Sequence, residues 1–218
     1  PMSPKTIAAY TEISRKMLLQ SSIDAERFVR NDLNLSLSLG VDLAALHGTG
    51  TGNQPTGVAL TSGIGSVVGG ADGAFPNWGN IIDLESAVAV ANADIGNLAY
   101  ITNAKVRGRL KQTARVPGTD SILVWSDDAA APLNGYAAWV SNQVRSDMDK
   151  GASVGVCSGL FFGNWADLII GLWGTLDILA NPYSLDTIGA TRVTIFQDVD
   201  ITPRHAESFA AMLDATTA

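Results

Sequence analysis

One five-residue segment has the spacing of a nucleophile elbow, the sharp turn that presents the attacking side chain in many hydrolases. In Gly155-Val156-Cys157-Ser158-Gly159 the nucleophile would be the Cys157 thiol. Such a thiol needs a histidine base held by a carboxylate, and the only histidines are His47 and His205. The sequence shows no parallel-sheet scaffold for an elbow. We therefore expect Cys157 to be a buried thiol in a glycine-rich strand, and His205 to be a surface or interface residue.

A second segment, Gly48-Thr49-Gly50-Thr51-Gly52, could by composition wrap a phosphate group. The P-loop pattern needs a lysine that this segment lacks, and the dinucleotide fingerprint fails because Asn53 stands where its last glycine belongs. Both motifs also follow a strand, whereas this segment follows a predicted helix. We expect a turn-rich loop and no nucleotide cofactor.

Two acidic pairs could by residue type bind a cation. They are Asp127-Asp128 and Asp147-Met148-Asp149, and neither has the spacing of an EF-hand loop. A cysteine-based zinc site is excluded because the chain has one cysteine. We expect these aspartates to be solvated loop residues. The sequence predicts no catalytic, cofactor-binding or metal-binding residue, and the chain is not predicted to be an enzyme.

The charge balance argues against sequence-specific reading of nucleic acid. The net charge is −7 and the sequence pI is about 4.6, whereas a dedicated binder presents a basic face. The densest basic stretch has a spacing that spreads its charges around a helix, which is typical of a solvated face; it comprises Lys105, Arg107, Arg109, Lys111 and Arg115. Charged residues make up only 16% of the chain. So low a fraction indicates that much of the surface contacts other protein.

Membrane insertion and secretion are not predicted. The longest apolar candidate, residues 168–180, is short for a membrane span and contains Asp177. The first residues lack the apolar stretch of a signal peptide. The single cysteine excludes an internal disulfide and fits a reducing cytosol.

The longest predicted helix covers residues 22–47. Its start has capping residues at Ser22 and Asp24, and His47 with the following glycine suits its end. Its middle is ambiguous, because leucines alternate with polar residues in the period of a strand. Read as a helix, the segment has two apolar stripes on opposite faces: Leu35, Leu39, Leu43, Leu46 and Leu33, Leu37, Val41, Ala44. The caps and the length favour a helix, which we expect to be sandwiched between layers.

The other predicted elements mix helices and strands without regular alternation, which predicts the α+β class. Helices are expected from Asn77 or Asn80 to Asp94 and from Asn103 to Leu110. Strands are expected over residues 5–13, 98–102, 121–125, 137–140, 153–162, 168–173, 176–179, 192–201 and 209–213. No internal repeat is present.

Residues 5–60 contain an ordered set of motifs. A strand ending in Ile13-Ser14-Arg15-Lys16-Met17-Leu18 precedes the long helix, and Leu46-His47-Gly48-Thr49-Gly50 and Pro55-Thr56-Gly57-Val58 follow it. This set resembles the major capsid proteins of tailed phages with the Hong Kong 97-type fold, in which a strand, a long spine helix and a glycine-rich loop occur in this order. Further on, residues 80–97, 99–111, 162–167 and 192–212 resemble the family's later helices, turn and final strands, with Ala104 in place of a usual proline.

The resemblance implies a peripheral domain and an axial domain. Residues 1–57 and 159–202 would form the peripheral domain, residues 58–158 the axial domain, and residues 203–218 a return to the axial domain. It also implies an N-terminal arm and an extended loop that reach neighbouring subunits. Both would precede Pro1, so we expect a fragment that lacks them. Some members cross-link lysine to asparagine, but that lysine belongs to the extended loop, and no catalytic residue is carried over.

The function implied by the resemblance is structural. The protein would form pentamers and hexamers of itself that tile an icosahedral shell around a DNA genome, in a virion assembled in the bacterial cytoplasm. Portal, scaffold or maturation protease would be further partners. An encapsulin-type compartment shell is the nearest alternative, and a cysteine hydrolase using Cys157 is the alternative from another class.

Overall fold

The computed structural model describes residues 2–20, 25–118 and 122–217, and it confirms the α+β class. Its α-helices are α1 (Arg15–Gln20), α2 (Ala25–His47), α3 (Trp78–Val90) and α4 (Ala104–Leu110). Its strands are β1 (Lys5–Ser14), β2 (Gly65–Ser66), β3 (Leu98–Thr102), β4 (Ala137–Val140), β5 (Met148–Lys150), β6 (Ser153–Asn164), β7 (Leu168–Asn181), β8 (Ala190–Pro203) and β9 (Phe209–Thr216). The strands form two separate sheets.

The first sheet has three antiparallel strands in the order β1-β8-β7. β1 pairs with β8 without a register shift. β7 has an irregularity between Trp173 and Asp177, where Gly174 adopts a φ of +71° that suits a residue without a side chain. The strands predicted over residues 168–173 and 176–179 are therefore one long strand with a bulge.

Helix α2 packs on one face of this sheet. The predicted continuous helix is confirmed over Ala25–His47, and its predicted start at residues 22–24 lies outside the described residues. Leu33 and Leu37 are buried in a core that includes Ile195 of β8. Burial of this stripe on the sheet resolves the ambiguity between helix and strand, because tertiary packing supplies most of a helix's stability.

The second sheet has the order β2-β9-β6-β3-β4, with β5 paired to β6. Its central strand, β6, is antiparallel to both β3 and β9. Successive β6 side chains point to opposite faces. Leu160 and Phe162 enter a large core with α3 and α4, whereas Phe161 enters a smaller core that includes Leu46 at the end of α2. The last turn of α2 thus connects the two halves of the molecule.

Asparagine side chains start the two helices that cover the large core. The Asn77 carboxamide oxygen accepts the Asn80 N–H at 3.1 Å, and the Asn80 oxygen accepts the Asn77 N–H at 3.1 Å, which is a capping box. Asn103 accepts a backbone N–H in the first turn of α4 at 2.9 Å. Both predicted helix starts are confirmed, although α3 ends at Val90 and not at Asp94.

Some predictions for short segments are wrong. Of the strand expected over residues 121–125, the described residues form only an isolated bridge between Leu123 and Ala114. This segment crosses the end of α4, where its backbone bonds to irregular chain and not to a strand. The end of the first motif, expected to be strand, forms helix α1 after Ser14. The short strands β2 and β5 were not predicted, because two or three residues show no periodicity.

Candidate assembly surfaces

The face of α2 that points away from the first sheet is apolar and exposed. We call it the outer stripe of α2; it consists of Phe28, Leu35, Leu39 and Leu43. Intervals of seven and four residues place these side chains on one side of the helix. Leu35 is 59% exposed, whereas Leu33 on the opposite face is 4% exposed. The helix was expected to be sandwiched between layers; within the described residues one layer is present, because the three-stranded sheet covers only one face.

A second apolar surface lies on β7, whose outer edge is unpaired within the described residues. Ile170, Leu172 and Leu179 of this strand are exposed. The hairpin that joins β7 to β8 adds Tyr183 and Ile188. An unpaired edge with large apolar side chains is a template for contact with another chain.

The free edge of the second sheet presents a third surface. β4 is its last strand, and Trp139 at the middle of β4 is 65% exposed. The loops between α4 and β4 also expose Val116 and Ile122. Sequence reasoning missed Trp139, although a tryptophan beside two small alanines in a predicted strand was a signal for it. Three exposed apolar surfaces on one small chain agree with the low charge content, since lone monomers rarely expose large apolar patches.

The glycines of residues 48–57 are explained by close backbone packing. The Gly57 N–H donates to the Gly48 carbonyl at 2.9 Å. A Cβ on Gly57 would lie 2.4 Å from the Gly48 nitrogen, and one on Gly48 would lie 2.2 Å from the Pro55 carbonyl oxygen. Gly50 and Gly52 have φ values of +70° and +63°. These positions need glycine to close a tight loop after α2.

His47 connects the end of α2 to the second sheet. Its ring packs edge-on against Phe161, with centroids 5.4 Å apart, and its Nε2 accepts the Arg145 N–H at 3.1 Å. Burial, and secondarily the charge of Arg145, lower the pKa of His47 to about 4, against a smaller opposing effect of Asp147. The ring is therefore neutral near pH 7, and α2 ends at His47, as predicted. Nε2 is engaged and is not a free base.

Cys157 is a buried thiol in β6, as predicted. Its Sγ lies 4.0 Å from the Ser153 carbonyl oxygen. Burial, followed by the nearby Asp214 and Asp149 carboxylates, raises the pKa of the thiol. A thiol that is protonated and enclosed lacks the reactivity of a catalytic cysteine. His205 is exposed in the turn before β9, so it is a surface residue, as predicted.

The acidic pairs lie apart and have ordinary structural partners. Asp147 forms an exposed ion pair with Arg145 at 2.9 Å, and this hydrogen bond lowers the pKa of Asp147. Asp149 is in β5 rather than in a loop, and it accepts the Gly155 N–H at 2.6 Å. Asp127 and Asp128 are exposed, as predicted. Among the described residues, no three metal-ligating side chains cluster.

The basic residues around α4 point in several directions, as their spacing predicts. The Arg109 guanidinium lies 4.0 Å from the centroid of the Phe75 ring, and that of Arg115 lies 4.0 Å from the Trp78 ring. These cation–π contacts join the start of α3 and the segment before it to the region of α4. Arg107 and Lys111 are exposed on another side of the helix. The basic stretch is thus divided between packing and solvent.

In the part of the chain that the structure describes, none of the helices is long and apolar enough to cross a membrane. Three apolar surfaces of the described residues are exposed: the outer stripe of α2, the outer edge of β7 and the region of Trp139 on β4.

The sequence of this chain is similar to those of known phage capsid proteins. The model of the phage capsid family matches residues 1–213. A major capsid protein of Halomonas phage phiHAP-1 is 33% identical over 209 residues, which are 95% of this chain and 32% of that protein. The chain therefore spans about a third of the length of the curated relative that it matches.

Solved structures share the fold at low sequence identity. The capsid of a native GTA particle has a TM-score of 0.72 at 19% identity, over 99% of this chain and 74% of the other. A structure titled Gordonia phage Cozz has a TM-score of 0.67 at 15% identity, over 97% of this chain and 70% of the other. A virus-like particle from Pyrococcus furiosus has a TM-score of 0.63 at 12% identity, over 97% of this chain and 76% of the other.

Proposed function

The chain belongs to the phage capsid family and has the Hong Kong 97-type fold, and from this membership we propose that it is the shell-forming part of the major capsid protein of a tailed phage or prophage. Its role is structural and not catalytic. Copies of the protein associate into pentamers and hexamers, which tile an icosahedral shell around the DNA genome. The protein resides in the virion and assembles in the bacterial cytoplasm.

The observation that carries this proposal is the outer stripe of α2. Four large apolar side chains lie along one face of the longest helix, and each is at least 40% exposed within the described residues. Exposed apolar area of this kind is stabilised when another protein surface removes it from water. Neighbouring copies in a shell are the partners that the family membership supplies.

The two sheets match the two domains that the family resemblance implies. The first sheet with α2 corresponds to the peripheral domain, and the second sheet with α3 and α4 corresponds to the axial domain that surrounds a symmetry axis. The segments proposed from the resemblance are residues 1–57 and 159–202 for the peripheral domain, 58–158 for the axial domain and 203–218 for the return to it. Because β6 continues to Asn164 as one strand of the second sheet, we move the second boundary from residue 158 to Asn164, and the other segments stay as proposed.

The acidic balance of the chain suits a wall that faces DNA. A net charge of −7 avoids tight binding to phosphates while the genome is packaged. Portal, scaffold and maturation protease are the further partners that we propose for the complete protein.

The two alternatives have less support. The fold alone does not separate a phage shell from an encapsulin-type compartment, but the family model and the curated relative are phage capsid proteins. A cysteine hydrolase is disfavoured because Cys157 is buried and its pKa is raised. The genes beside this one distinguish the two shells: terminase, portal and protease genes belong with a phage, and a cargo-enzyme gene belongs with a compartment.

Sedimentation of the product of the complete gene tests the proposed function. We expect rings or shells that sediment far ahead of a single subunit. A product that stays strictly monomeric under all assembly conditions would contradict it.

A further inference from the structure

The edge strand β4 carries a large aromatic side chain on one face and borders a cleft on the other. Trp139 is 65% exposed and pairs in register with Ile101 of β3. Its neighbours Ala138 and Val140 line a cleft of about 390 Å³. Because successive strand residues point to opposite faces, Trp139 projects away from the cleft that its own strand borders.

The cleft has three kinds of wall. Arg107 and Lys111, one helical turn apart at the end of α4, line one side. Asp127 and Asp128 line another side. Trp125 borders the cleft with the small part of its surface that is exposed, 7%. Cations, carboxylates and an aromatic surface thus meet in one open depression.

This combination matches the chemistry of an indole ring. A guanidinium or ammonium group binds the face of a tryptophan, and a carboxylate accepts its N–H. The side chains of Ala138 and Val140, which also line the cleft, add apolar contact for part of the ring. The volume lies within the range of about 300 to 1,000 Å³ that is typical of ligand pockets, which leaves room for one such ring.

The geometry points to a contact between two copies of this chain, in which Trp139 of one copy enters the cleft formed by Arg107, Lys111, Trp125 and Asp127 of the next. We call it the Trp139–cleft contact. It rests on the proposed function and deepens it, since it specifies a surface through which neighbours associate. A single exposed tryptophan that packs into a cleft of a neighbour is the kind of side chain that dominates the energy of an interface.

The placement of the two parts makes the contact directional. The side chain and the cleft lie on opposite faces of one strand, so each copy uses different surfaces toward its two neighbours. Such a heterologous contact propagates from copy to copy and closes into a ring when the rotation permits. In a two-fold symmetric dimer both copies use the same patch, so the side chain and the cleft would not need to lie on opposite faces of the strand.

Substitution of Trp139 tests the contact in the protein expressed from its complete gene. Native mass spectrometry over a concentration series measures the concentration at which half of the subunits are in rings or larger assemblies. Trp139→Ala should raise that concentration at least about tenfold, as expected for an interface residue of this class. Val90→Ala is the matched control, because Val90 is also exposed and lies on α3, far along the chain from β4. It should leave that concentration unchanged.

A mixing experiment tests the direction of the contact. Ala129→Trp should fill the cleft from its rim while leaving Trp139 in place. At concentrations where the unmodified protein just forms rings, each variant alone should fail to do so, and a mixture of Trp139→Ala with Ala129→Trp should give dimers of one copy each. Circular dichroism of each variant checks that it is folded.

The outcomes separate this contact from the proposed function. If the unmodified protein assembles and Trp139→Ala assembles at the same concentration, the contact is wrong and the proposed function stands. Complete rings from the mixture would also overturn the contact. If the unmodified protein never assembles, the proposed function fails and the contact fails with it.

Discussion

At the scale of single residues, His47 determines how the end of α2 joins the second sheet. Its neutral ring accepts the Arg145 N–H and packs on Phe161. Protonation of Nε2 would direct its new N–H at the Arg145 N–H, so that two hydrogen-bond donors would face each other. The chemistry of this histidine is therefore structural, and it makes the junction sensitive to pH.

We predict that acid weakens this junction within a defined window. The folded-state pKa of His47, about 4, lies below the ordinary value of 6.5. Stability from the neutral ring is thus fully present above pH 6.5 and is lost as the pH falls from 6.5 toward 4. The Tm of the unmodified protein, followed by circular dichroism, should fall more steeply across this window than that of His47→Gln, whose amide oxygen accepts the same N–H without titrating.

His47→Gln also serves as the control for carboxylates that titrate in acid, because it retains all of them. Parallel falls of the two Tm values between pH 6.5 and 4 would show that the His47 ring does not contribute to the pH dependence.

The glycine loop gives a second prediction at this scale. In Gly57→Ala the new Cβ would lie 2.4 Å from the Gly48 nitrogen and 2.6 Å from the His47 nitrogen. We expect a loss of about 1 to 3 kcal/mol in the free energy of unfolding, measured in urea, because backbone must shift. In Gly108→Ala of α4 a Cβ meets nothing within 4 Å, so this control should gain up to about 1 kcal/mol. Equal stability of Gly57→Ala and the unmodified protein would contradict the packing account.

Single-residue chemistry was predictable only where it depends on local sequence. The burial of Cys157 and the absence of a phosphate-loop lysine follow from neighbouring residues. The partner of His47 does not, because Arg145 is 98 positions away and meets the ring only through the fold. Long-range contacts of this kind leave no periodic signal in one sequence.

At the scale of elements, the leucines of α2 divide into a stripe that holds the fold and a stripe that is free for assembly. Leu33 is buried on the first sheet, and Leu35, two positions along, is exposed on the outer stripe. Both are leucines in the same helix, so they form a matched pair.

We predict that truncation of Leu33 mainly lowers the stability of the fold, whereas truncation of Leu35 mainly weakens assembly. Leu33→Ala should lower the free energy of unfolding by about 2 to 5 kcal/mol, because it leaves a cavity in the core. Leu35→Ala should change it by less than about 0.5 kcal/mol, yet it should weaken assembly of the complete protein. Chemical denaturation measures the first quantity and analytical ultracentrifugation the second. Equal loss of folding stability in both variants would show that the outer stripe is also part of the core.

Elements with strong patterns or caps were predictable, and others were not. As N-cap residues, Asn77 and Asn103 predicted two helices that the structure contains. The alternating leucines of α2 had the period of a strand, and only length and end residues favoured the helix. Helix α1 and strand β5 were missed because they have only six and three residues, too few to show a period. The burial of only one face of α2 depends on the size of the sheet, which the sequence does not reveal.

At the scale of the whole molecule, two sheets joined through the end of α2 expose three apolar surfaces. Low charge predicted contact with other protein, and the resemblance of ordered motifs predicted the family, which the family model confirms. Weak motifs were informative because they occurred in the right order along nearly the whole chain. The positions of the exposed surfaces required coordinates.

Cryo-electron microscopy of particles made from the complete gene tests the central claim most directly. We expect closed shells built of five- and six-membered rings, in which the outer stripe of α2 is covered by protein and the second sheet surrounds the ring axes. Monomeric protein across all concentrations and assembly conditions, or particles in which the outer stripe of α2 remains open to solvent, would contradict it.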